Sequence, residues 1–201
     1  GHLRCTIQHH LLHYTVPQYI DIHLQMSLLL RFHHVEHWVC LMEFQFHTHY
    51  WYFPSEYEVN AKTWKRIVDD FNKIIDVKAW NEFPSRTLRD VLEHTSGQRL
   101  AITDDIIFFN GREENDQGHE TFHLERKSGT DSYRNRSDED CFTCCKTARK
   151  PYDIVACCLL VIAKKHLGKL IKIISDGDEV EWTHAFKLCQ EYLGYEEASS
   201  F

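Results

Sequence analysis

The segment "FHTHYW", residues 46–51, is where the chain spells out metal chemistry most directly. In a β-strand successive side chains alternate between faces, so His47 and His49 point the same way. A third imidazole, His23, sits on a neighbouring stretch of the same alternating character, with Asp21 and Glu43 close by in the pattern. Three nitrogens with an open fourth position make a catalytic zinc arrangement, and a nearby carboxylate can orient a ring from behind. An ion held in this way would lower the pKa of a bound water and generate a nucleophile at neutral pH. The cofactor implied is a divalent transition metal such as zinc. The competing explanation is a polar sheet face whose histidines are satisfied by solvent or by neighbouring side chains. Histidine is abundant enough to feed either reading, since ten of the 15 fall within the first 49 residues.

Three further constellations carry chemical potential. Two H-x-T motifs, "LLHYTV" with His13 and Thr15 and "GHETFHL" with His119 and Thr121, resemble the paired motifs of the two-histidine phosphoesterases. That resemblance covers about eight residues. It implies one histidine as base, the other as acid, and both hydroxyls on a phosphate. The segment "CKTARKPYD" places Lys146, Thr147, Arg149, Lys150 and Tyr152 just before an apolar helix, whose free N–H groups could receive an anion. Asp153, in the first turn, could satisfy those groups internally. Cys141 and Cys144 with His119 and His123 have the composition of a Cys₂His₂ zinc site. On a regular strand, however, the two cysteines face opposite ways. Asp176 and Asp178 in "SDGDEVEW" suit either Mg²⁺ or the turn and cap that precede a helix; the cap alone explains them.

The elements that must position these groups follow from periodicity. Residues 20–32 alternate, with Ile20, Ile22, Leu24, Met26, Leu28, Leu30 and Phe32 on one face. Residues 38–52 repeat the pattern, with Trp38, Cys40, Met42, Phe44 and Phe46 opposite Glu43, Gln45, His47 and His49. Period two over such lengths predicts a long antiparallel hairpin closed by "HHVEH". Pairing Phe32 with Trp38 sets His23 opposite His47 and Asp21 opposite His49. A weaker strand is expected within residues 3–16. Asn60 caps a helix over 61–76 with a stripe of Trp64, Ile67, Val68, Phe71, Ile74 and Ile75. Ser85 caps a second helix carrying Leu88, Val91 and Leu92. Strands follow at "LAIT", "IIFF" and "ETFHLER", with a turn signal at Asn110-Gly111. A further strand ends near Cys145. Residues 152–167 form a helix apolar almost all round, Gly168 ends it, "KLIKIIS" is a strand, and 178–193 is a helix ended by Gly194.

These elements predict an α+β fold: a long antiparallel hairpin in a mostly antiparallel sheet, with about four helices on its apolar face. The 201 residues are expected to form a single domain, with a mobile polar loop at about 127–140. The longest apolar run, Ile154 to Ala163, is ten residues against about 20 for a membrane span. A formal net charge of −7 gives no support to binding a nucleic-acid backbone. Eight cysteines, two pairs of them adjacent, read as thiols of a reducing cytoplasm rather than a disulfide framework. Two classes of function stay open, and whether the protein is an enzyme stays open with them. One is a domain that binds a protein or small anionic ligand through the His-rich sheet face or the basic loop 146–152. The other is a metal-dependent hydrolase built on His23, His47 and His49. The binding class is preferred because every constellation also has a structural explanation.

Overall fold

The computed structural model describes residues 47–78, 86–92, 100–128, 141–177 and 179–196. The elements are β1 (Thr48–Phe53), α1 (Ala61–Ile75), β2 (Leu100–Ile102), β3 (Ile106–Phe109), β4 (Phe122–Glu125), β5 (Cys141–Lys146), α2 (Asp153–Leu167), β6 (Lys172–Ser175) and α3 (Glu179–Leu193). The fold is α+β. Its strands form two small antiparallel sheets, ordered β5-β1-β6 and β2-β3-β4.

Strand β1 is central, and both its hydrogen-bonding edges are filled. His49 pairs with Cys145 on one side and with Ser175 on the other. This replaces the expected pairing of His49 with Asp21, because a strand has only two edges to offer. The rest of the expected hairpin, His23 included, lies outside the described residues, as do the strand sought within residues 3–16 and most of the polar loop.

Three α-helices are described where about four were expected. The segment after residue 86 is the difference. Leu88–Val91 makes only a 3₁₀ turn, in which Asp90 folds back to accept from the Thr87 amide at 2.6 Å. Leu92 is already extended and bridges to Gly111. Two leucines suffice to anchor a single turn, and the sheet contact stops it growing.

The other helices form where their stripes require. Asn60 caps α1 by accepting from the Lys62 amide at 2.9 Å. Trp64, Ile67, Phe71, Ile74 and Ile75 bury its inner face, and Trp64 Nε1 donates to Thr103 O at 2.9 Å. Helix α2 is buried continuously from Val155 to Ala163. It can afford no polar face there because α1 and α3 both pack against it. Gly168, at φ +55°, closes α2 in a conformation that costs an L side chain strain. No helix among the described residues is long and apolar enough to cross a membrane.

A polar clamp ties the helices together. Asp70 of α1 accepts from His166 of α2 at 2.8 Å, from the Tyr195 hydroxyl beyond α3 at 2.7 Å and from Lys73 at 3.1 Å. Burial pushes the Asp70 carboxyl up, but these hydrogen bonds together outweigh it and hold its pKa below the ordinary value. A depressed carboxylate stabilises the fold above its unfolded pKa of about 3.9, and that contribution disappears as pH falls through the folded value. Asp70→Asn is therefore expected to lose on the order of 1 kcal/mol at pH 7, discounted for partial exposure. Its deficit against wild type should shrink toward pH 3. Urea midpoints at pH 7, 4 and 3 check this, and equal acid slopes for the two proteins would contradict it.

Candidate metal centre

The site is built at one end of the three-stranded sheet. Because β5 and β6 both run antiparallel to β1, the start of β1 meets the ends of its two neighbours. The start of α2 lies over the same corner. Four segments therefore supply side chains to one place: His47 and His49, Thr147, Asp153 with Cys157, and Ser175 with Asp176.

The alternation of β1 sets the histidines inward. His47, His49, Trp51 and Phe53 are all buried. Tyr50 and Tyr52 occupy the opposite face, where both rings lie against Phe142 of β5. The expectation of a polar histidine face opposite an apolar core face is thus reversed in this strand. The imidazoles stand on the helix side, where polar groups from α2 and β6 meet them.

Asp153 is the hub. Its Oδ1 lies 2.8 Å from His49 Nε2 and its Oδ2 lies 3.2 Å from His47 Nε2. The Thr147 hydroxyl donates to Oδ1 as well. The two imidazoles meet edge to face, with ring centroids 4.8 Å apart. Cys157, one turn along α2, brings its Sγ to 3.7 Å from His49 Nε2 and 3.9 Å from Asp153 Oδ2. Trp182 of α3 closes over the His49 ring at a centroid distance of 5.2 Å. On the far edges of the rings, His49 Nδ1 is 3.0 Å from Ser175 Oγ and His47 Nδ1 is 3.8 Å from Asp176 Oδ1. Asp176 is itself fixed by accepting from the Thr48 amide at 2.6 Å.

Burial pushes the Asp153 carboxyl up, but the hydrogen bonds of His47 and His49 outweigh it and hold the pKa far below the ordinary carboxylate range. The group is an anion at neutral pH. It does not serve as a helix cap: α2 starts without any side-chain cap, and the carboxylate turns to the histidines instead.

One potential ligand atom from each of His47, His49 and Asp153 lies within 4.8 Å of the others. Donors around a tetrahedral zinc at about 2.0–2.1 Å stand about 3.4 Å apart. The contacts to Asp153, at 2.8 and 3.2 Å, use different oxygens of the carboxylate, and the set lies within 4.8 Å, so these side chains would shift to close around an ion. This is the one such group of histidine, cysteine and acidic residues among the described residues.

The other candidates do not converge in this way. His119 is exposed, its amide and carbonyl bound to Asn110, and the Thr121 hydroxyl accepts from Asn110 Nδ2 at 3.2 Å. His13 and Thr15 lie outside the described residues. Strand β5 is regular, so Cys141 is buried, donating to Ser55 O, while Cys144 is exposed on the other face. His123 sits on β4, half-buried, in the other sheet. Burial pushes the Cys144 and Cys145 thiols up, which opposes thiolate chemistry. In the basic loop, Thr147 is turned to Asp153 and Tyr152 is buried, its hydroxyl donating to Glu120 O at 2.6 Å. Lys150 pairs with Asp116 at 2.5 Å, and Arg149 is exposed at φ +54°. Lys146, half-buried, donates its amide to Glu120. Asp178 lies outside the described residues.

Comparison with protein-family models, with curated proteins and with solved structures finds no match to this chain. Its site must therefore be read from its own geometry. Sequence reasoning supplied two of its members, His47 and His49, and passed over two others. Asp153 reads as an ordinary first-turn acid, and Ser175 as the end of a strand. Only the pairing of β1 with β5 and β6, across more than 90 residues, brings them to the histidines.

Proposed function

We propose that the protein binds one divalent transition-metal ion, zinc foremost, through His47 Nε2, His49 Nε2 and Asp153, and that it uses the ion in hydrolysis. The observation that carries this reading is the convergence of two buried imidazoles on one ionised carboxylate. Two neutral nitrogens and a carboxylate suit zinc and neighbouring transition metals better than Mg²⁺, and they leave a fourth position for water. The Asp153 side chain, 16% exposed, is the ligand through which water and substrate would reach the ion, since both imidazoles are fully buried. The earlier preference for a binding role through the histidines contracts, on this reading, to an ion as the ligand.

Calorimetric titration of metal-free protein with Zn²⁺, Mn²⁺ and, under anaerobic conditions, Fe²⁺ tests the proposal. One ion per chain is expected, with zinc binding weakened at least about tenfold in His49→Ala. Absence of stoichiometric binding for all three ions would sink it. Hydrolysis of nitrophenyl phosphate and nitrophenyl acetate by the zinc-loaded protein tests the catalytic half. Rates equal to those of the His49→Ala variant would reduce the function to metal binding.

A further inference from the structure

We propose that the end of β6 is a positioning device, in which Ser175 holds the Nδ1 edge of His49 by hydrogen bonding and Asp176 biases the Nδ1 edge of His47 by its nearby carboxylate, so that both Nε2 edges are committed to the ion. The inference rests on the metal reading above and assigns the residues that make it work.

The two rings share one arrangement. In each, Nε2 faces Asp153, and Nδ1 faces a residue at the end of β6: Ser175 Oγ at 3.0 Å for His49 and Asp176 Oδ1 at 3.8 Å for His47. A neutral imidazole carries a single N–H, and the nitrogen that binds a metal must be the bare one. Without an ion, the anionic Asp153 favours the N–H at Nε2. With an ion, that N–H must move to Nδ1, and a partner must be ready to accept it.

Ser175 is suited to both states. Its oxygen already accepts from the Gly177 amide at 3.0 Å, which fixes the hydroxyl in place. Its hydrogen has two acceptors to choose from, His49 Nδ1 at 3.0 Å and Thr48 O at 3.5 Å. Without the ion the hydroxyl donates to bare Nδ1. With it, the hydroxyl rotates toward Thr48 O and accepts from Nδ1–H. The count of protons on ring and hydroxyl is the same in both states; only their positions change. Asp176 Oδ1, at 3.8 Å, is beyond hydrogen-bond reach of His47 Nδ1 and acts on it through its carboxylate charge, which favours N–H on that edge and leaves Nε2 for the ion. The Thr48 amide, bonded to Asp176 at 2.6 Å, keeps the carboxylate at the ring's edge. Such outer partners typically govern affinity by about 10–100-fold.

The experiment uses the full chain, labelled with ¹⁵N, and compares wild type with Ser175→Ala, Ser175→Thr and Asp176→Asn. Zinc affinity is measured by competition with a chromogenic chelator, and long-range ¹H–¹⁵N correlation spectra report which ring nitrogen carries the proton. In wild type, zinc is expected to leave N–H at Nδ1 of both histidines. Ser175→Ala and Asp176→Asn are expected to weaken zinc binding about 10–100-fold, and Ser175→Thr, which keeps the hydroxyl, to stay within a few-fold of wild type. A purely structural Ser175 predicts a lower melting temperature for Ser175→Ala with zinc affinity and the His49 signals unchanged; that outcome overturns the inference while the metal reading stands. Wild type that takes up no zinc overturns both.

Discussion

Replacing Phe122 with alanine is expected to lower the unfolding free energy by about 4 kcal/mol. Phe122 is fully buried and stacks on Trp51 at 4.6 Å and on Phe109 at 5.0 Å between ring centroids. Phe109 continues the column to Phe71 of α1 at 5.6 Å and meets Tyr152 edge-on at 6.4 Å. The column joins β1 in one sheet to β3 and β4 in the other, and both to the helical layer. Phe122 links Trp51 of one sheet to Phe109 of the other, so truncation leaves a cavity that neither sheet can close alone. Urea unfolding followed by tryptophan fluorescence measures the loss. The pairwise share should appear in a double-mutant cycle with Trp51→Leu as a coupling of about 1 kcal/mol. A loss below about 1.5 kcal/mol would mean that the sheets are held together elsewhere.

Much of this architecture is legible in the sequence, for reasons that also explain the failures. Helix α2 announces itself because an unbroken run such as "IVACCLLVIA" is too long for a strand and is closed by Gly168. Helix α1 shows a stripe and a cap, and the structure uses both. Strands "LAI", "IIFF" and "FHLE" stand between polar turns and form as read. The segment at Leu88 fails as a helix because its two leucines fit a single turn as well as a full helix. Only the contact between Leu92 and Gly111 decides between them.

The site is harder to read than the fold. In "HTHYWYF" both faces of the strand carry large side chains, so alternation does not say which face is buried. Polarity points the wrong way: imidazoles look like the solvent face, while two tyrosines and Phe142 look like core. What inverts the assignment is Asp153, whose carboxylate offers buried histidines the partner that makes their burial tolerable. That partner lies 104 residues further along the chain from His49. No local pattern links the two, and "PYD" at the start of an apolar helix has a sufficient local explanation in the helix dipole. A spacing rule finds ligands that share a strand, as His47 and His49 do. It cannot find one delivered by a helix start that the sheet topology folds back over them.

Asp153→Ala puts the two readings of that carboxylate in direct competition. If it were only a first-turn acid answering the helix dipole, its removal would cost at most about 1 kcal/mol, and Asp153→Asn would be close to neutral for stability and for zinc. As the hub of the site it should cost about 3 kcal/mol in the metal-free protein. The change would leave two fully buried imidazoles and the buried Thr147 hydroxyl without the anion that they share. Zinc binding should then fall by more than about 100-fold, since a ligand is lost rather than misplaced. Asp153→Asn keeps the size and one oxygen acceptor but not the charge, so it should fold better than Asp153→Ala while still binding zinc poorly. It is the variant that reports on the metal if alanine proves too damaging to purify. Mass action supplies an independent readout: zinc at 100 times its dissociation constant should stabilise wild type by about 2.7 kcal/mol and raise its melting temperature, and should do neither for Asp153→Asn. Equal zinc-induced shifts in the two proteins would remove Asp153 from the ligand set and leave the histidines without the third donor that a catalytic site requires.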